Sequence, residues 1–149
     1  MGKKPRRLSR PPQDQVYWGA DVPMHAIRRF ARAVATRFRP DKIILFGSHA
    51  YGKPHPDSDV DILVIMPARN KHSQAFRIRC AVPAPFPMDL LVRTPKEMRW
   101  RLAERDLFHT EIVTKGKLLY EKADARMGPQ GGGRLPRRQK PRPKQASPA

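Results

Sequence analysis

One stretch, residues 45–66, limits what this chain can become: Leu45-Phe46-Gly47-Ser48-His49-Ala50-Tyr51-Gly52, a loop broken by Pro54 and Pro56, then Asp57-Ser58-Asp59-Val60-Asp61-Ile62-Leu63-Val64-Ile65-Met66. It reads as strand, glycine turn, short helix, loop, strand. Side chains alternate faces along a strand, so Asp59 and Asp61 point one way while Val60 and Ile62 point the other. Their Cα atoms are expected roughly 6.5–7 Å apart, at a spacing where two carboxylates can ligate one divalent cation or share two. Gly47 lets backbone approach a ligand closely, and Ser48 can cap the helix that follows, whose free N–H groups attract phosphate. One half of the motif suits metal and the other suits an anion. A nucleoside triphosphate carried with its metal needs both.

Gly47-Ser48, ten residues, then Asp59-Val60-Asp61, each half on an apolar strand, resembles the signature of the polymerase-β-like nucleotidyltransferase superfamily. The stretch FGSHAYGKPHPDSDVDILV is most similar to the minimal nucleotidyltransferase (MNT) branch, and the resemblance runs from about Pro23 to Lys122. It implies a palm-like α/β domain and transfer of a nucleoside monophosphate from a triphosphate to a hydroxyl, of the adenylyltransferase-like (EC 2.7.7) type. It further implies ATP or another nucleoside triphosphate as donor and Mg2+ as the ion, with Mn2+ as a substitute. MNT proteins work beside HEPN-type toxins, so the resemblance implies an antitoxin that adenylylates a tyrosine of such a partner.

Within that resemblance Asp59, Asp61 and Asp89 are the catalytic metal ligands, and Gly47 and Ser48 hold the phosphates. Asp89 occupies the place of the family's third acid, on the apolar strand Met88-Asp89-Leu90-Leu91-Val92. A carboxylate in such a strand is costly unless it is paired or metal-bound, or the strand is an exposed edge; alone, Asp89 fits an exposed edge, and beside the first motif it is read as the third metal ligand. Ser48 alone can be only a helix cap, and Asp57 fits a turn better than a ligand set. His25, His49, His55, His72 and His109 show no zinc spacing, and Cys80 has no second cysteine. Tyr51 departs from the pattern, which usually carries Arg between Ala50 and Gly52; Lys53 or Lys42 could supply the missing cation.

The rest of the chain supports one domain of ordinary size in 149 residues. A helix from Asp21 to Pro40 would be capped by Asp21 and bury Ile27, Phe30, Ala31, Val34 and Phe38, leaving Arg28, Arg29, Arg32 and Arg37 off that face as solvated surface in preference to a nucleic-acid stripe. Lys42–Phe46 and Val60–Met66 are buried strands. Ser73–Val82 would be a short helix carrying Phe76, Cys80 and Ala81. Thr94-Pro95-Lys96-Glu97 is a capping box that opens a helix to Ala103, with Met98 and Leu102 inward and Trp100 partly so. Asp106 starts another helix that Gly116 ends, followed by a strand from Lys117 to Tyr120. These elements predict an α/β domain at 21–123 with a mixed sheet and helices mainly on one face. The predicted core is Ile27, Phe30, Val34, Ile43, Leu45, Ile62, Val64, Leu90 and Val92.

The net charge of +18 is concentrated toward the ends. Residues 1–20 hold five Lys/Arg against one Asp, and residues 124–149 seven against one. Both segments lack the apolar content to bury a core and are expected to be disordered basic tails, with Tyr17 and Trp18 able to pack on the domain edge. An acidic partner such as RNA, DNA or an anionic protein surface suits the tails, as does plain solvation of their charge. The second functional reading is therefore a non-catalytic module that neutralises a partner or holds RNA. A metal-dependent nuclease is a third, disfavoured because it needs no triphosphate cradle. No apolar run approaches the ~18 residues of a membrane span, and the basic N-terminus has no secretory h-region. A cytoplasmic protein with no membrane association is the expectation.

Overall fold

In the computed structural model the described residues are 16–123. The expectations for the tails fall outside this range except at 16–20. There the Tyr17 N–H donates to Pro85 O over 2.8 Å, and Trp18 stays 65% exposed. The helix α1 spans Met24–Phe38, and the strand β1 Lys42–Phe46. The short helix α2 spans Ser48–Tyr51, and β2 Val60–Ile65. Next come α3 (Lys71–Ala81), β3 (Met88–Arg93), α4 (Pro95–Ala103), α5 (Leu107–Lys115) and β4 (Lys117–Glu121). A 3-10 turn at Gly19–Asp21 precedes α1.

The four strands form one mixed sheet in the order β3-β2-β1-β4. β1 is antiparallel to both β2 and β4, with a register shift against β4 between Ile43 and Ile44. β2 and β3 are parallel. Parallel neighbours need a crossover, and α3 makes it.

Both faces of this sheet are covered, which corrects the expectation of helices mainly on one face. Ile43, Leu45, Val60, Ile62, Val64, Leu90 and Val92 pack with Ile27, Phe30 and Val34 of α1 and Ile78 of α3. Ile44, Phe46, Leu63 and Ile65 pack on the other side with Met98 of α4 and Ile112 of α5. Strands buried on both faces are apolar without a break, which is why KIILF and DILVI show no polar alternation. All nine predicted core residues lie in the first cluster. Burying each such side chain contributes about 1.5–3 kcal/mol before entropy is charged against it.

Capping follows the sequence for α4 and α5. Thr94 Oγ1 accepts from the Glu97 N–H at 3.0 Å, and Asp106 Oδ2 accepts from the His109 N–H at 2.8 Å. α1 differs: Asp21 sits in the preceding 3-10 turn, and Pro23 takes the cap position without a side-chain bond. α3 also differs, because Asn70 caps it through the Ser73 N–H and starts it earlier. Its inward residues are Gln74 and Ile78, while Phe76 and Cys80 face solvent. Trp100 is 56% exposed rather than partly inward.

Glu97 ties the two layers together around β3. Its carboxylate takes Lys71 from the start of α3 at 2.9 Å, Arg93 from the end of β3 at 3.7 Å and Arg101 at 3.5 Å. Burial alone would raise this carboxyl, but the bond to Lys71 and the charges of Lys71, Arg93 and Arg101 outweigh it and hold it below its usual range. His109 is buried between Asp106, at Nδ1, and Arg93, whose Nε–H donates to His109 Nε2 at 3.1 Å.

Candidate active site

β1 ends at Phe46, and the chain turns at Gly47 with φ +78° and ψ −162°, a conformation essentially reserved for glycine. A β-carbon on Gly47 would collide with Asp61 Oδ2. The turn therefore rests directly on the carboxylate of the next strand. Gly47 itself caps α2, so Ser48 is the first helical residue and not the cap expected of it. The helix leaves the Ser48 and His49 N–H groups without an intrahelical acceptor.

Asp61 and Asp89 are register partners on β2 and β3. Parallel neighbours are spaced about 4.8 Å, and partners in register share a face, so the two carboxylates stand side by side. Both belong to the alternating set that includes Leu63, Leu91 and Ile65, on the α4/α5 side of the sheet. They lie at its end nearest Gly47, opposite Phe46, which is Asp61's partner on β1.

Asp59 differs from the expectation. β2 begins at Val60, whose N–H is taken by Pro87 O, so Asp59 is the last residue of the loop and is exposed. One contact touches its backbone, and a second fixes the residue before it. Ser58 is buried and closes a turn with His55, its Oγ accepting the His55 N–H at 2.8 Å. His49 places Nδ1 3.2 Å from Asp59 O and Nε2 2.9 Å from Gly19 O. Gly19 (φ +51°) lies against Pro56, where a β-carbon would strike Pro56 O, so the segment before α1 buttresses the Pro loop. Asp57 sits exposed in the turn, as its turn reading anticipated.

The acids are electrostatically coupled. Burial first, then the charges of Asp89 and Asp59, push the Asp61 carboxyl up to about 6, while His49 opposes the shift. Among the described residues no group of three His, Cys, Asp or Glu side chains is gathered tightly enough to form a metal cage. The donor set is two adjacent carboxylates with a third nearby. That suits Mg2+, which usually takes one or two protein carboxylates and completes its shell with substrate phosphate and water.

Sequence reasoning missed Lys115. From the end of α5 its Nζ lies 6.0 Å from the Tyr51 ring centroid, so a cation stands beside the position where the MNT-like pattern carries Arg. Lys42 cannot serve there: it is at the far end of β1 and faces Glu121 at 3.8 Å. Lys53 is exposed in the loop. No sequence signal pointed to Lys115, because its proximity depends on where α2 and α5 each sit against β1.

A family model for the nucleotidyltransferase domain matches residues 27–113, and the chain belongs to that family. The general reaction is nucleotidyl transfer from a nucleoside triphosphate with a divalent metal. Among solved structures, a protein from Sulfolobus solfataricus described as a candidate nucleotidyltransferase is similar at 20% identity and a TM-score of 0.47, covering 66% of this chain and 79% of that one. None of the curated proteins matches this chain significantly in sequence. Among the described residues no helix is long and apolar enough to cross a membrane.

Proposed function

We propose that this chain is an MNT-type enzyme that moves AMP from ATP to a hydroxyl acceptor, with a tyrosine on a HEPN-type partner as the favoured acceptor and antitoxin action in the cytoplasm as its role. The single observation that carries the transferase reading is the contact of Gly47 with the Asp61 carboxylate while Asp89 stands beside it in register. An anion-binding turn and a cation-binding pair thereby meet at one point. The AMP donor, tyrosine acceptor and antitoxin role rest on the resemblance of the 45–66 stretch to the MNT branch.

In this reading Asp59, Asp61 and Asp89 hold Mg2+ or Mn2+. The bound metal would neutralise the triphosphate and lower the pKa of the attacking hydroxyl. Gly47 and Ser48 hold the phosphates through backbone N–H groups and the Ser48 hydroxyl. Asp89, exposed on its strand, is placed to accept the acceptor's proton directly or through water. The acceptor oxygen attacks the α-phosphorus, and pyrophosphate leaves. Lys115 replaces the cation missing at Tyr51. His49 acts at one remove, by holding the Asp59 backbone. Most of the rate comes from positioning and charge neutralisation.

The test is label transfer. Protein, Mg2+ and each α-labelled nucleoside triphosphate are incubated with lysate of the source cell, and Asp59→Asn/Asp61→Asn is the control. A labelled species that disappears in the control supports the enzyme and identifies its acceptor. Absence of label from folded protein with every nucleotide and metal overturns it, leaving a non-catalytic module that binds a partner, or RNA through its basic tails.

A further inference from the structure

The helical layer on the side of the sheet away from Asp61 and Asp89 has a charge pattern that the transfer reading does not use. α1 and α3 cover the same sheet face, and neither helix contains a single Asp or Glu. Arg28, Arg29 and Arg32 of α1 and Arg77 and Arg79 of α3 are all exposed. Among the described residues none of these five has a carboxylate partner within ion-pair distance. Arg77 and Arg79 reach only neutral acceptors, Gln74 Oε1 at 3.1 Å and Met88 O at 3.0 Å. Lys71 is the exception in this layer, bound to Glu97.

The opposite layer is built differently. On α4 and α5 acids offset the bases: Glu97 with Arg93 and Arg101, Glu111 with Lys115, and the cap Asp106 with Arg101. The two faces of one small domain therefore carry opposite solutions to surface charge. An ordinary solvated helix mixes signs, since like charges at i and i+4 such as Arg28 and Arg32 destabilise a helix. Retaining them unpaired calls for an anionic partner.

A second feature narrows the partner. Phe76 is 67% exposed on α3, one turn from His72 and from Arg79, on the outward side of that helix. A large aromatic among unpaired cations is the combination that grips single strands: cations follow the phosphates and the ring stacks a base. A duplex hides its base faces, so Phe76 would have nothing to stack on. Unpaired bases are the ordinary condition of RNA loops and ends.

We propose that the outward face of α1 and α3 is a binding surface for single-stranded RNA, on the back of the sheet and separate from the nucleotidyl-transfer site. It goes beyond the transfer reading and does not depend on it.

The test uses the full chain, basic tails included. Binding of a fluorescein-labelled 20-nucleotide oligo-U is followed by anisotropy from about 50 to 300 mM salt, a range over which counterion release dominates affinity. The quadruple variant Arg28→Gln/Arg32→Gln/Arg77→Gln/Arg79→Gln is expected to flatten the log–log salt slope by about three, at ~0.7 for each phosphate no longer neutralised. Phe76→Ala is expected to weaken binding about fivefold or more with the slope unchanged. All five side chains are exposed, and circular dichroism melting confirms the fold of each variant. Wild-type affinity and slope in both variants would overturn the proposal and assign any RNA binding to the tails. Tighter binding of a duplex of equal length, or tenfold tighter binding of the matching single-stranded DNA, would overturn it as well.

Discussion

The α-carbon of Gly47 lies against the carboxylate of Asp61, with no space for a β-carbon between them. The turn and the acid are well separated along the chain, and the antiparallel pairing of Phe46 with Asp61 is what brings them together. Gly47→Ala would have to displace Asp61 and also hold alanine at φ +78°. It is expected to cost about 1–3 kcal/mol in urea unfolding, and to abolish transfer even where the protein remains folded.

Asp61→Asn and Asp89→Asn are each expected to lower kcat/KM for the nucleoside triphosphate by at least about 100-fold, since each removes a proposed metal ligand. Asp59→Asn is expected to cost less than Asp61→Asn, because Asp59 is exposed at the end of a loop while Asp61 is half-buried. Steady-state kinetics with titrated Mg2+ checks the order. Equal losses would mean that the loop closes onto the ion when substrate binds.

In the metal-free protein the contribution of the Asp61 carboxyl to stability is expected to fall as pH rises. The Asp61 carboxyl is raised from 3.8 to about 6 in the fold, so the folded state holds its proton more tightly than the unfolded chain does. That contribution is fully present below 3.8 and is lost as pH passes through about 6. Above pH 6, Asp61→Asn should therefore melt higher than wild type without metal, and the advantage should shrink when Mg2+ is added. Thermal melts across this range, with and without Mg2+, measure both effects.

Lys115→Gln is expected to raise KM for the triphosphate about tenfold with a smaller change in kcat, consistent with one charge-assisted hydrogen bond. Restoring a cation at the other position, by Tyr51→Arg in the Lys115→Gln background, is expected to recover most of that affinity. Failure of the rescue would place Lys115 outside the nucleotide site.

Glu97→Gln is expected to destabilise the domain by about 2 kcal/mol, because it leaves Lys71, Arg93 and Arg101 without their shared anion. The Glu97 carboxyl is held below 4.5, so its contribution is present above that value and is lost as pH falls through the lower folded one. The difference between wild type and variant should therefore be largest near neutral pH and fade in acid.

What the sequence revealed depended on how local each cause was. Strands β1 and β2 were legible because burial on both faces writes an unbroken apolar run. Thr94 and Asp106 were legible because a cap and its N–H partner are three residues apart. The second core cluster was hidden because Ile44 and Leu63 look the same whichever face they cover, and only α4 and α5 packing on their side distinguishes them. Ser48 was mistaken for the cap because cap position follows backbone dihedrals, which Gly47 sets. In α3 the exposed Phe76 and Cys80 defied their polarity, since Gln74 and Ile78, with Ala75 and Ala81 partly buried beside them, form the inward side. Asp61 and Asp89 were legible as types and the register between them was not. Lys115 was invisible because its approach to Tyr51 joins two helices far apart in the chain.

β3 is the outermost strand of the sheet on its side, and Asp89 sits on it. In the proposed reading the chemistry thus lies at the edge of the sheet, where Asp89 is exposed. A perimeter site sets no limit on the bulk of what approaches it: a folded protein can present a hydroxyl there as readily as a small molecule. In that reading the walls of the site do little to choose the acceptor. Selection falls to whatever grips the acceptor away from the reacting atoms, so acceptor choice and catalysis can change independently in a domain of this size.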